Sequence, residues 1–503
     1  MQDLTIIGTA TPRISDEFHA LGDIGWYGSA YLLTTCCFQL LFGRIYTFYS
    51  PKIVFLAAVI LFEVGSAVCG AAPNSTAFIF GRAIAGIGSA GISGGAIVIM
   101  MHTTPIEKRP MYIGFIGAVF GIASVAGPLL GGVFTSKVTW RWCFYINLPI
   151  GGVTIGIILL VLKLPNPKDG PKTIKEQIHR LDPFGALFFF PGIVCLLLAL
   201  QWGGSTYSWQ NARIIALLII FGLCMIVFIA IQRWKGEAAT VPPRIFLQRS
   251  ILSGACFSLF GGSALMIMVY YLPIWFQAIK GVSAVKSGIM TVPIILALVI
   301  ANILAGVVVT HTGYYTPFLI ASSVFMSIGS GLLSTFTTTT NHAKWIAYQC
   351  LFGFGMGMGM QQPGMAAQTV LRKKDVPTGV SLMFFFRNLG GALFVSIGEN
   401  VFENEMIKGL THIPGLDAEV ILRAGATGVR NVVDLRYLHE VMIAYNGALV
   451  KVYYCGIAVS CATIIGSLTM EWRSVKKVRE QQRKDAEKEK AKKEAKKGEM
   501  LFE

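Results

Sequence analysis

Charged and amide side chains set inside long apolar runs are the places where this sequence could do chemistry. Arg82 stands in the run 76–101, Glu63 in 51–72, and Arg387 and Glu399 in 379–402, while Asp3 precedes a short apolar stretch at 4–12. An acid enclosed in a membrane can load and release a proton within the cellular pH range, so Asp3, Glu63 and Glu399 are the candidate proton carriers. Each also has a plainer reading. Glu63 could sit at a helix contact or the lipid edge, Glu399 could reach the outer surface, and Asp3 lacks the half-helix that would bury it. A cation at such depth costs at least about 2.5 kcal/mol unless it meets water or a partner. Capping unpaired backbone carbonyls is one way for Arg82 to meet that need. The run 343–368 contains Gln349 and closes on FGFGMGMGMQQPGMAAQ. Its adaptable methionines, with Gln361, Gln362 and Gln368, suit a cavity for flat, partly polar molecules or, equally, a packing seam. Arg387 and Asn388 either anchor the inner third of their run or touch a substrate.

Holding such residues requires helices that cross a bilayer. The 503 residues are 54% hydrophobic and 14% charged, with a mean hydropathy of +0.62. Soluble domains are about 45–50% apolar and about 25% charged, which excludes a soluble enzyme, a disordered chain and a disulfide scaffold. A span needs about 20 apolar residues. By that measure complete spans lie at 24–48, 51–72, 76–101, 110–135, 140–162, 183–202, 212–233, 251–277, 285–309, 315–336, 343–368, 379–402 and 446–470. The stretch 4–12 rises only about 14 Å as a helix. It reads as the outer half of a truncated first span, so that the intact molecule would have fourteen.

The formal charge of +16 speaks of sidedness rather than of nucleic acid. The connections 44–52, 102–109, 163–182, 234–250, 310–314 and 369–378, together with the tail 471–503, hold more than twice as many Lys and Arg as the opposite side. Cations gather in the cytoplasm, so the C-terminus is expected there and 11–23 and 403–445 outside. Trp140, Trp142 and Tyr145 fit an aromatic belt at the outer interface, 418–433 a short surface helix, and 473–497 a solvated charged helix. The ten cysteines form no CxxC pair and read as small buried hydrophobes; no metal site is visible. Without a GxxxxGK[ST] loop or a nucleophile with its base, neither ATP hydrolysis nor other bond chemistry is expected, and no cofactor.

Self-similarity at a period of about 265 residues organises the chain. Gly43-x3-Thr47-x2-Ser50 matches Gly306-x3-Thr310-x2-Gly313; Arg82-x3-Gly86-x-Gly88 matches Gln349-x3-Gly353-x-Gly355; Lys108 and Arg109 before Gly114 match Lys373 and Lys374 before Gly379. Each match joins span n to span n+8, an even number of crossings. The expected fold is therefore all-α, with two parallel six-helix halves, 1–162 and 251–470, separated by two inserted spans within 163–250. Such halves characterise rocker-type secondary transporters.

Several motifs resemble the fourteen-span drug:proton antiporters of the major facilitator superfamily, especially the fungal toxin and multidrug efflux members. DLTIIGTATPRISDEF is similar to that family's first-helix motif, FIFGRAIAGIGSAG to its fourth, and FFFRNLGGALFVSIG to a later one. GFIGAVFGIASVAGPLLGG resembles its antiporter motif, carried here by Gly114, Gly117, Gly121, Gly127, Pro128, Gly131 and Gly132, with Ala123 where a further glycine is usual. The loop motif after span 2 departs from the family: its acid and one cation are missing, so a charge-based lock between the halves is not expected.

The resemblance implies a plasma-membrane, vacuolar or vesicle protein, monomeric in the lipid bilayer, that exchanges protons for a small organic substrate by alternating access. It also implies that the antiporter-motif helix is kinked and seals the halves against leak, and that Arg82 tunes a nearby acid. An importer of a nutrient or iron chelate, and a non-transporting sensor, remain as alternatives on the same fold.

Overall fold

The computed structural model describes residues 2–20, 23–105, 108–164, 181–204, 207–411, 413, 421, 425, 426, 428–430, 432–478 and 480. The tail helix expected at 473–497 and the surface helix at 418–433 lie largely outside these. Helices account for the described fold. They are α1 (Gln2–Phe18), α2 (Ile24–Phe48), α3 (Pro51–Ala71), α4 (Ser75–Thr103), α5 (Arg109–Lys137), the short α6 (Trp142–Tyr145) with α7 (Asn147–Val161), α8 (Pro183–Trp202) and α9 (Ala212–Lys235). After the one-turn α10 (Pro243–Phe246) come α11 (Arg249–Lys280), α12 (Ala284–Met290), α13 (Val292–Thr312), α14 (Thr316–Leu333), α15 (His342–Gly359), α16 (Gln362–Val370), α17 (Val376–Leu410) and α18 (Leu438–Thr469). Ten of the described helical segments are long and apolar enough to cross a membrane. α1 and the broken α15–α16 pair fall short in length or apolarity, as does α2, which carries Thr34, Thr35, Gln39 and Arg44; α5 is 29 residues long and apolar.

Three expectations need correction. The first helix does not stop near Pro12 but continues to Phe18, because Ile6, Ile7, Ala10 and Ile14 share one buried face that carries on past the proline. Phe18 then packs against Phe78 and Trp140. The segment 403–445 is not simply an outer loop, since α17 runs on to Leu410 and α18 begins at Leu438. Trp140 is buried, and its indole donates to Glu17 at 2.6 Å; of the expected belt, Trp142 is the exposed member.

The repeat is visible in the packing. α2 and α3 both lie against α4, as α13 and α14 lie against α15; α1 against α5 matches α11 against α17; α3 against α7 matches α14 against α18. Two further pairings, α2 with α17 and α5 with α13, join the halves and are each other's mates under the repeat. The inserted α8 and α9 pack together, and α8 covers the α2–α17 seam through Phe189 on Phe385 (5.5 Å) and Phe190 on Phe38 (4.9 Å). The end where Lys52, Arg109, Lys235 and Arg244 gather is called inner here, following the charge pattern.

Candidate functional site

The glycines of α5 face the opposite half. A Cβ at Gly117 would overlap the Asn302 amide of α13, one at Gly121 would overlap Val299, and one at Gly114 would press on the Asn302 carbonyl. Toward the outer end Gly132 meets Val285 of α12. At the inner end of the same seam Gly306 of α13 lies against the Pro110 carbonyl. Small residues let two backbones approach this closely without lipid between them. Gly127 and Gly131 are buried, and α5 passes through them as an uninterrupted helix; the Pro128 side chain lies outside the described residues.

Arg82 is fully buried. Its Nε donates to the Tyr27 carbonyl at 2.8 Å, and its guanidinium lies 4.5 Å from the Tyr31 ring. Gln349, also fully buried, donates to the Met290 carbonyl at 3.1 Å. Tyr27 and Met290 occupy the same place in the two repeats, so the mates make the same contact with different chemistry. The glycines that follow behave alike: Gly86 lies on the Tyr31 backbone as Gly353 lies on Ile294, and Gly88 on Phe62 as Gly355 on Phe325 and Met326. In both halves this motif is a scaffold for helix contact.

The candidate acids are dispersed. Asp3 lies in α1, but its side chain is outside the described residues. Glu63 packs against Gly151 of α7, a contact within one half and away from both seams. Glu399 is exposed on α17 near Tyr270 and one helical turn from Glu403. Of the amides, Gln362 donates to Met358 O (3.1 Å) and Gln368 to Gly364 O (3.3 Å), each spending its donor on its own chain, while the Gln368 Oε1 is buried without a partner. Gln361 is buried in the break between α15 and α16. Met356, Met358, Met360 and Met365 are buried, which suits a packing seam.

Arg387 is at the junction of the halves. It lies about 16 Å along α17 from Val376, close to the middle of a core about 30 Å thick. A Cβ at Gly262 of α11 would overlap the Arg387 carbonyl and crowd its Cγ, so a close helix crossing fixes the stem. The guanidinium stands 4.7 Å from the Phe384 ring and 5.9 Å from the Phe120 ring of α5, in the other half. Among the described residues it has no hydrogen bond and no carboxylate partner. The neighbouring Asn388 is half-buried.

The ties at the inner end carry no signal in the sequence. Gly43 of α2 abuts Ser381 and the Pro377 carbonyl of α17, and Thr47 and Thr378 hydroxyls lie 3.4 Å apart. Arg44 donates to the Glu237 carbonyl at 2.9 Å; Arg244 pairs with the Glu237 carboxylate at 2.7 Å and with Asp375, before α17, at 2.9 Å. The segment carrying Glu237 and Arg244 is fixed by Asp182, fully buried at the N-cap of α8. Asp182 accepts from Gln232 (2.9 Å) and from the Thr240 amide and hydroxyl (3.0 and 2.9 Å), and pairs with Lys235 at 2.7 Å. Burial alone would raise the Asp182 carboxyl, but the Lys235, Gln232 and backbone hydrogen bonds outweigh it and hold the group below its usual range. A charge-based tie between the halves thus exists, built from the inserted region instead of the loop after span 2.

Paired helical bundles with matched seams, and a cation at mid-depth between them, define a two-bundle membrane transporter. The chain belongs to the Major Facilitator Superfamily, whose family model matches residues 1–395. It is 58% identical over 476 residues to the MFS-type efflux pump MFS1 of Trichophyton rubrum, covering 94% of this chain and 89% of that one. To efflux pump aflT of Aspergillus parasiticus it is 51% identical over 480 residues, covering 95% and 93%. The solved proton:xylose symporter XylE bound to 6-bromo-6-deoxy-D-glucose shares the fold, at 16% identity and a TM-score of 0.57, over 93% of this chain and 91% of that one.

Proposed function

We propose that the protein exports small amphipathic organic compounds, such as secondary metabolites, toxins or drugs, in exchange for protons. The reading rests above all on the kinship just described: relatives at 58% and 51% identity along nearly the whole chain are named as efflux pumps. The geometry fits such a cycle. Halves 1–162 and 251–470 rock about two seams, α5–α13 staying sealed by its glycines while the α2–α17 seam opens inward when the Arg44–Glu237–Arg244–Asp375 ties release. Substrate enters between the halves beside Arg387, and one of Asp3, Glu63 or Glu399 exchanges the proton, with Arg82 holding the α2–α4 contact near the proton path. The protein works as a monomer in the plasma membrane, with its C-terminus in the cytoplasm. Inside-out vesicles with an acidified lumen are expected to accumulate substrate against its gradient; accumulation that instead requires an alkaline lumen contradicts the direction.

A further inference from the structure

The efflux reading leaves the chemical class of the cargo open, and the surroundings of Arg387 narrow it. We propose that Arg387 is the anion-recognising group of the transport site, and that its guest is a flat aromatic molecule bearing a carboxylate or phenolate. The proposal rests on the exporter reading and goes beyond it by assigning a charge to the cargo.

Four observations carry it. The cation is held rather than dangling, because the Gly262 crossing fixes its stem. It has no carboxylate partner among the described residues, so the countercharge at mid-membrane is left for a guest. Among the described residues its donors are unspent, unlike those of Gln362 and Gln368, and a guanidinium offers a planar fork matched to a carboxylate. Two aromatic rings, Phe384 at 4.7 Å and Phe120 at 5.9 Å, lie against the guanidinium, so a ring that carries the anion would meet aromatic edges and faces beside the charge.

Phe120 belongs to α5 and Phe384 to α17, so the bracket is assembled from both halves. Rocking the halves apart removes one plane while the charge stays with the other. A guest gripped on both sides in one state is therefore held on one side in the other, which is the differential contact that alternating access requires.

Equilibrium binding of 2-naphthoate and of its neutral isostere 2-naphthamide to the full chain in nanodiscs tests this. Wild-type protein should bind the carboxylate at least about tenfold more tightly than the amide, a ratio that falls to about one in Arg387→Gln and is only partly kept in Arg387→Lys, which supplies the charge without the fork. Phe120→Leu, which leaves the charge in place and removes one ring beside it, should lower naphthoate affinity about threefold or more. A wild-type ratio at or below one overturns the assignment, as does a ratio that Arg387→Gln leaves unchanged. Binding of the amide without preference for the carboxylate leaves the exporter reading standing. Failure of inside-out vesicles to move any aromatic compound is the separate result that removes that reading.

Discussion

Arg82 shows how a repeat can separate scaffold from function at a single position. Its charge drew notice in the sequence, but its contact became interpretable only beside Gln349, which reaches the equivalent carbonyl. A glutamine should therefore satisfy the structural role. Arg82→Gln is expected to keep wild-type thermal stability in detergent, whereas Arg82→Ala leaves the buried Tyr27 carbonyl without this donor and costs about 1–3 kcal/mol. If the charge also serves proton exchange, Arg82→Gln will fold normally and still lose substrate-driven proton uptake, measured with a pH dye in vesicles. The acids were legible as types and not as places. Hydrophobicity marks Glu63 as intramembrane, but its packing on Gly151 depends on how α3 meets α7. Arg387 was legible as an oddity, while Phe120, its neighbour from the other half, carries no sequence signal of its own.

The helices themselves were largely written in the apolar runs; their interruptions were not. α15 ends at Gly359 and α16 starts at Gln362, with Pro363 in its first turn, and α13 likewise has Pro293 in its first turn. A proline is tolerated there because its missing N–H has no helical partner to lose. Pro273 stays inside an unbroken α11, so proline alone does not locate a break. The inner tie escaped notice because Arg44, Glu237, Arg244 and Asp375 come from separate segments, and only the folded linker brings them together. That linker depends on Asp182. A carboxyl held below its usual range stays charged until the pH falls through the lowered value, so its stabilisation is complete above about pH 4 and lost only in stronger acid. Unfolding between about pH 5 and 8 should accordingly be insensitive to this group. Asp182→Asn should cost about 3–5 kcal/mol by stranding Lys235, read as a lowered unfolding temperature at neutral pH. On α5, Gly117→Leu would drive a side chain into Asn302 and force the halves apart. Proteoliposomes carrying this variant should lose an imposed pH gradient several times faster than wild type, while unchanged retention would show that the seam does not hold back protons.

The molecule as a whole followed from the repeat, because two halves that must present the same faces to each other retain the same small residues at the same places. The pairing of α2 with α17 and of α5 with α13 extends that logic across the seams. What the repeat could not supply is the asymmetry: the inserted α8 and α9 cover the α2–α17 seam and bring the Arg244 tie to its inner end. In the cycle proposed above, one seam is the hinge, the other the gate, and the proton gradient the force that works the gate. The most direct measurement is substrate extrusion from energised cells before and after a protonophore is added. Coupled exchange predicts that extrusion stops as the gradient collapses and resumes on its restoration; extrusion continuing at its former rate would contradict the account.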